Sequence, residues 1–209
     1  PDSYKGTYSQ LTGINAVLDG IDEAIGLEAD KEIIKAEALS LRALYYYMLV
    51  NLYGEPYNYN KKALGVPLKL TSALLENGIT RNTVEEVYTR IVMDLEQASA
   101  LFGKYSKRRG DFRINGTATD ILLSRVYLYM EEWDRAIEAA NRAIKTAEGL
   151  TDYTTVEAGN QFYMTTYELS EVEWLFDMSI TNFPFVSSGD LLSKYTSGDK
   201  RETLWFDAN

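Results

Sequence analysis

The sequence predicts a mainly α-helical fold: degenerate helical pairs, followed by an irregular, loop-rich C-terminal part. Three observations carry this expectation. Apolar residues recur at steps of three and four along most of the chain up to residue 148. Helix caps and stops stand where that periodicity begins and ends. Beyond residue 150 the periodicity weakens, and turn residues and aromatics take over.

The elements follow in order. Tyr4, Tyr8, Leu11, Ile14, Leu18, Ile21 and Ile25 lie on one face of a helix spanning 4–25, which Gly26 ends. A second helix is expected over 30–53, with Asp30 as N-cap. Its broad apolar face holds Ile33, Ile34, Leu41, Leu44, Tyr45, Met48, Leu49 and Leu52. Gly54 is placed at the C′ position and Pro56 just beyond it. Residues 54–80 read as a long connection, of the kind that is usually functional or mobile. Thr83-Val-Glu-Glu86 has the pattern of a capping box, opening a helix that carries Val87, Ile91, Leu95 and Ala98 to Phe102. Asn115 or Thr117 caps the next helix, which runs to Met130, and its partner spans Trp133 to Gly149.

Composition excludes several chemistries. The net charge is −10, so the chain has no general attraction for a phosphate backbone and nucleic acid is not expected as a partner. There is no cysteine and no histidine, which removes disulfides, thiol nucleophiles, Ser-His-Asp triads and HExxH zinc sites. No Gly-rich phosphate loop, EF-hand or metal-ligand pattern appears, so neither a cofactor nor a metal is expected. The adjacent pairs Glu85/Glu86 and Glu131/Glu132 point to different azimuths of a helix, and no catalytic residue is assigned. No stretch approaches the roughly 18 apolar residues of a membrane span. The opening PDSYKGTYSQ reads as lacking a signal peptide, and the abrupt end at LWFDAN reads as that of a fragment.

The strongest local signal lies in 117–148. Leu123, Tyr127, Trp133, Ala136, Ala140 and Ala143 fall at the spacings of a tetratricopeptide repeat. Small Ala136 and Ala143 let two antiparallel helices approach, while Tyr127 and Trp133 are expected to fill the gap near the turn. Ser124 and Glu131 stand where glycines are usual, which makes the unit degenerate and its turn non-standard. AEALSLRALYYY and the helix over 83–102 read as a second such pair with an insertion between its helices. Fewer than three repeats rarely stand alone, so other sequence must cover their open faces.

Three stretches, in order, resemble the SusD/RagB family of glycan-binding outer-membrane lipoproteins: AEALSLRALYYYMLVNLYGEP (36–56), RNTVEEVYTRIVMDLEQASALF (81–102) and INGTATDILLSRVYLYMEEWDRAIEAANRAI (114–144). The resemblance implies a helical tetratricopeptide-like scaffold over 1–150 and, over 151–209, the start of a truncated, irregular ligand-binding part. It implies a non-enzymatic protein, lipid-anchored on the extracellular face of the outer membrane. It also implies oligosaccharide or polysaccharide ligands and a SusC-like TonB-dependent transporter as partner. The family's lipidated cysteine is absent from these residues, so membrane contact would come only through an anchor outside them. The alternative is a tetratricopeptide-type protein–protein interaction scaffold.

Candidate ligand-binding residues are Tyr57, Asn58, Tyr59 and Asn60 in the long connection, because aromatics stack on sugar C–H faces and amides bond hydroxyls. Trp174 and Trp205 are lesser candidates of the same kind. The run Tyr45-Tyr46-Tyr47 covers about 200° of helix surface and reads mainly as packing between helices. Arg42, ringed by apolar residues, reads as a buried ion pair with Asp94 or Glu37. The basic island over 104–113 reads as a solvated turn.

Overall fold

The computed structural model describes residues 2–74, 78–105, 113–147 and 193–199. The chain divides into two compact units, one of 1–109 with 113–147 and one of 110–112 with 148–209. The first unit is mainly α-helical, with helices packed in pairs. They are α1 (Asp2–Gly20), α2 (Glu28–Tyr53), α3 (Tyr57–Asn60), α4 (Val84–Phe102), α5 (Gly116–Tyr129) and α6 (Trp133–Thr146). A 3₁₀ turn, Ile21–Glu23, follows α1, so this face ends before Ile25, which is fully exposed. Among the described residues the only β-type pairing is a single antiparallel bridge, Leu64 to Thr83. In the second unit the described residues form a turn closed by Asp199 N–H donating to Thr196 O, with Gly198 in the left-handed region at φ +90°.

Capping explains where two helices begin. The Thr83 hydroxyl accepts from Glu86 N–H at 3.2 Å, and the Glu86 carboxylate accepts from Thr83 N–H at 2.7 Å. The reciprocal box is therefore complete. Asn115, not Thr117, caps α5, its side chain accepting from Ala118 N–H. Thr117 is buried and bonds Thr146. The second helix starts two residues earlier than expected and has no side-chain cap; Glu28 and Asp30 in its first turn complement the positive helix end. It stops at Gly54, whose backbone is extended rather than left-handed. Glycine is required there for space, because a Cβ would approach Val50 O to 2.7 Å. The last helix ends at Thr146, short of Gly149, which lies outside the described residues.

The core lies where α2, α4 and α5 meet. On α4 the expected stripe of Val87, Ile91, Leu95 and Ala98 is fully buried. On α2 the buried face is Ala36, Leu39, Ala43, Tyr46 and Val50, with Leu49. Of the expected face, Met48 and Leu52 are exposed instead (53% and 68%), while Leu41, Leu44 and Tyr45 are half-buried. The cause is polar: Arg42 is turned inward at the core. Its Nε and Nη2 donate to the two Asp94 carboxylate oxygens at 2.7 and 2.8 Å, and its Nη1 donates to Asn15 Oδ1 at 3.1 Å. Arg90 also bonds Asp94. Glu37 is engaged by Arg113, and Lys104 and Tyr105 bond Glu32, so the described ends of the basic island are paired rather than free. Its middle, 106–112, lies outside the described residues.

The hairpin of α5 and α6 has the expected buried Leu123, Tyr127, Ala136 and Ala143, with Ala140 half-buried. Trp133 is not part of the core: it is 56% exposed at the first position of α6. The Tyr127 ring is covered by the Arg135 guanidinium, 4.6 Å from its centroid. At the turn, Glu131 takes the left-handed conformation (φ 62°) that glycine prefers. Ser124 Oγ, at the other expected glycine, donates to Ala136 O at 3.0 Å and ties the two helices together.

The long connection is ordered over its described residues. Pro67 O accepts from the Tyr8 hydroxyl, and Lys69 O accepts from both Asn15 Nδ2 and the Tyr46 hydroxyl, at 2.6–2.8 Å. Asp19 accepts from the Ser72 N–H and hydroxyl, both at 2.8 Å, which holds its carboxyl below the usual carboxylate range. Satisfied backbone groups make it a strap across α1 rather than a free loop.

Candidate functional site

The end of α2 sets up a cleft. Tyr47 and Asn51 stand four residues apart and so share a face. Asn51 Nδ2 donates to Tyr47 O, and its Oδ1 accepts from the Tyr88 hydroxyl at 3.0 Å. Gly54 and Pro56 stop the helix and turn the chain into the single turn of α3, which brings Tyr57 and Asn58 to the opposite wall. Arg125 and Tyr129, one turn apart on α5, close the third side. The cleft is lined by these residues with Met48 and Glu55, and its volume is about 520 Å³. That is within the ~300–1,000 Å³ of small-molecule sites.

Three tyrosines, Tyr47, Tyr57 and Tyr129, line the cleft, and the buried Tyr88 ring behind them bridges Tyr57 to Tyr47. Tyr57 packs on Tyr88 with centroids 4.9 Å apart, Tyr88 lies edge-on to Tyr47 at 6.3 Å, and Tyr47 lies edge-on to Tyr129 at 5.6 Å. Burial pushes the Tyr88 phenol up to about 12. Burial, and then the neighbouring Tyr129, pushes Tyr47 up further. Both phenols stay neutral at physiological pH and can donate hydrogen bonds.

Of the four candidates in the connection, two reach this cleft. Tyr57 is half-buried, and Asn58 Nδ2 donates to Glu131 Oε1 at 2.8 Å at the rim. Tyr59 (81% exposed) and Asn60 face solvent and do not line it. Tyr46 is fully buried as packing, while Tyr47 has a second role as cleft floor. Sequence reasoning did not single out Asn51, Tyr88, Arg125 or Tyr129. Tyr88 lay within reach, since it falls three residues before Ile91 on the α4 stripe. Trp174 and Trp205 lie outside the described residues.

Three carboxylates near the cleft are committed to structure, whereas Glu55, in its lining, makes no hydrogen bond or ion pair among the described residues. Glu85 pairs with Lys61 and Lys62, Glu86 closes the cap, and Glu131 holds Asn58. Among the described residues no cluster of metal-ligating side chains occurs. Aromatic faces, amides and one charge of each sign are the chemistry of recognition.

A helical-repeat scaffold carrying an aromatic cleft defines a class of binding proteins, and comparison with known proteins narrows it. The profile of the SusD-like family described as "Starch-binding associating with outer membrane" matches residues 1–128. A SusD-like protein of Formosa agariphila is 25% identical over 182 residues, which cover 85% of this chain and 32% of that protein. The crystal structure of a SusD-like carbohydrate-binding protein from Bacteroides vulgatus superposes with a TM-score of 0.68 at 28% identity, over 73% of this chain and 32% of that one. A laminarin-binding SusD-like protein superposes with a TM-score of 0.59 at 25% identity, again over 73% and 32%. This chain belongs to the SusD-like family, a family of non-catalytic carbohydrate-binding proteins associated with the outer membrane. It spans about a third of the length of these relatives. Among the described residues no helix is long and apolar enough to cross a membrane.

Proposed function

We propose that this chain is the helical part of a cell-surface protein that binds oligosaccharides and delivers them to a SusC-like TonB-dependent transporter. The observation that carries the reading is the tyrosine-floored cleft in a chain of a carbohydrate-binding family. Ring faces give the C–H stacking that holds a pyranose, and the Asn51 and Asn58 amides stand beside them for its hydroxyls. In this reading Tyr57 and Asn58 form the ligand edge, while Tyr59 and Asn60 extend it along the exposed side of α3. Residues 151–209 begin the irregular ligand-binding part, and a lipid anchor outside this chain holds the protein to the extracellular face of the outer membrane.

Calorimetric titration with maltohexaose and laminarihexaose tests the site. Starch, for which the family is named, and laminarin, which one relative binds, are both glucans. Wild type binds at least one of them, and Y57A weakens it about tenfold, the loss of one stacking contact. Wild-type affinity in Y57A and N58A would remove the cleft from the reading. Protease shaving of intact cells tests location: loss of a tagged full-length protein while cytoplasmic markers survive is expected, and protection of the tag would contradict the surface assignment.

A further inference from the structure

Seven arginines lie among the described residues, and six are engaged. Arg42 and Arg90 bond Asp94, Arg113 bonds Glu37, Arg142 bonds Asp120, and Arg135 stacks on Tyr127. Arg81 donates to the carbonyls of Tyr53, Leu64 and Gly65. Arg125 is the exception: it lines the cleft and makes no hydrogen bond or ion pair among the described residues. Glu55, on another wall of the same cleft, is exposed and equally unengaged. The two charges therefore share a cleft without closing on each other.

We propose that Arg125 and Glu55 are a specificity pair, selecting a neutral sugar ring over a uronic or sulfated one; this rests on the reading of the cleft as a glycan site. A guanidinium only donates and a carboxylate only accepts. A sugar hydroxyl does both, so a ring bearing several of them satisfies both groups at once. Arg125 donates to ring hydroxyl oxygens, Glu55 accepts from hydroxyl protons, and the tyrosine floor takes the C–H face. An anionic ring would meet Arg125 favourably but would also bring its charge beside Glu55. It would meet Glu131 as well, which sits at the rim on Asn58. The net charge of −10 adds to that repulsion.

The test is calorimetric titration of the full chain with laminarihexaose and maltohexaose against an oligogalacturonate of the same length. Wild type is expected to take up a neutral hexaose and not the oligogalacturonate. R125Q weakens the neutral ligand about tenfold, as for one lost charge-assisted hydrogen bond. E55Q weakens it less and admits the oligogalacturonate. R125K, which keeps the charge and loses the fork, falls between wild type and R125Q. Both sites are exposed, so melting curves matching wild type verify that the variants fold. Oligogalacturonate binding to wild type as tightly as the neutral sugars overturns the pair. So does neutral binding that is lost in Y57A yet unchanged in R125Q and E55Q, and that outcome leaves the cleft reading intact. Absence of any glycan binding, or binding indifferent to Y57A, removes the cleft reading and the pair together.

Discussion

The two helix pairs, α2 with α4 and α5 with α6, are built on one plan and hold together differently. The first pair is separated in sequence by a long connection and meets through a buried charged group: Arg42 against Asp94, with Asn15 behind it. The second is joined by a three-residue turn and meets through small residues, Ala136, Ala139 and Ala143, which let the backbones approach. A buried ion pair tolerates little change at either partner, because removing one leaves the other uncompensated. A small-residue seam fails in the opposite way, when volume is added.

A series of variants probes this contrast, from the largest expected effect to the smallest. D94A strands both Arg42 and Arg90, and should cost about 3–5 kcal/mol in a denaturant titration. R42M/R90M/D94L, which removes all three charges together, should recover most of that loss; if D94A shifts the midpoint by less than the triple variant does, the ion pair is not what joins α2 to α4. In the second pair, A139L should destabilise by about 1–3 kcal/mol through overpacking, whereas a neutral result would show the seam to be loose. T83A opens the α4 capping box and should cost about 1 kcal/mol. The same box carries a pH signature. Hydrogen bonds from Thr83 N–H, Asn82 and the Thr83 hydroxyl hold the Glu86 carboxyl below the usual glutamate range. Its contribution is present above the unfolded value and is lost as pH falls through the folded one. Thermal midpoints should therefore drop on acidification below about pH 4, and less steeply in E86A than in wild type. E131G should be the mildest: relief of the left-handed strain, worth about 1 kcal/mol, is offset in part by loss of the Asn58 bond and by the freer unfolded chain. A clear destabilisation there would mean that the Asn58 contact outweighs the turn.

The same contrast explains what could be read from the sequence. The stripe on α4 was legible because its polar and apolar residues segregate cleanly and a capping box marks its start. The cap of α5 and the buried Leu123, Tyr127, Ala136 and Ala143 were legible for similar reasons of spacing. On α2 the periodicity misled, because that helix is apolar on most sides and its core face includes Glu37, Ser40 and Arg42. A scale of hydrophobicity assigns those to solvent; only their partners on other elements make burial tolerable. The suggested Arg42–Asp94 pair did anticipate one such partner. Trp133 shows the converse error, since the repeat spacing placed it in the gap near the turn while its position at the start of α6 left it exposed. The cleft was half legible. Tyr57 and Asn58 announce themselves beside the Gly-Glu-Pro stop. Arg125 and Tyr129 carry no local signal, because their role arises only when α5 comes to lie beside the end of α2.

The strap across α1 has a consequence for the order of assembly. Tyr8 and Asn15 find their carbonyl acceptors 59 and 54 residues further along the chain. Closing a loop of that size costs conformational entropy that no contact repays until the connection itself is in place. The connection is anchored at its far end by Asn82, Thr83 and Arg81, at the threshold of α4. The anchoring of Tyr8 and Asn15 is therefore expected to form only once the connection has settled against the start of α4, although α1 is close enough in sequence to pack on α2 before that.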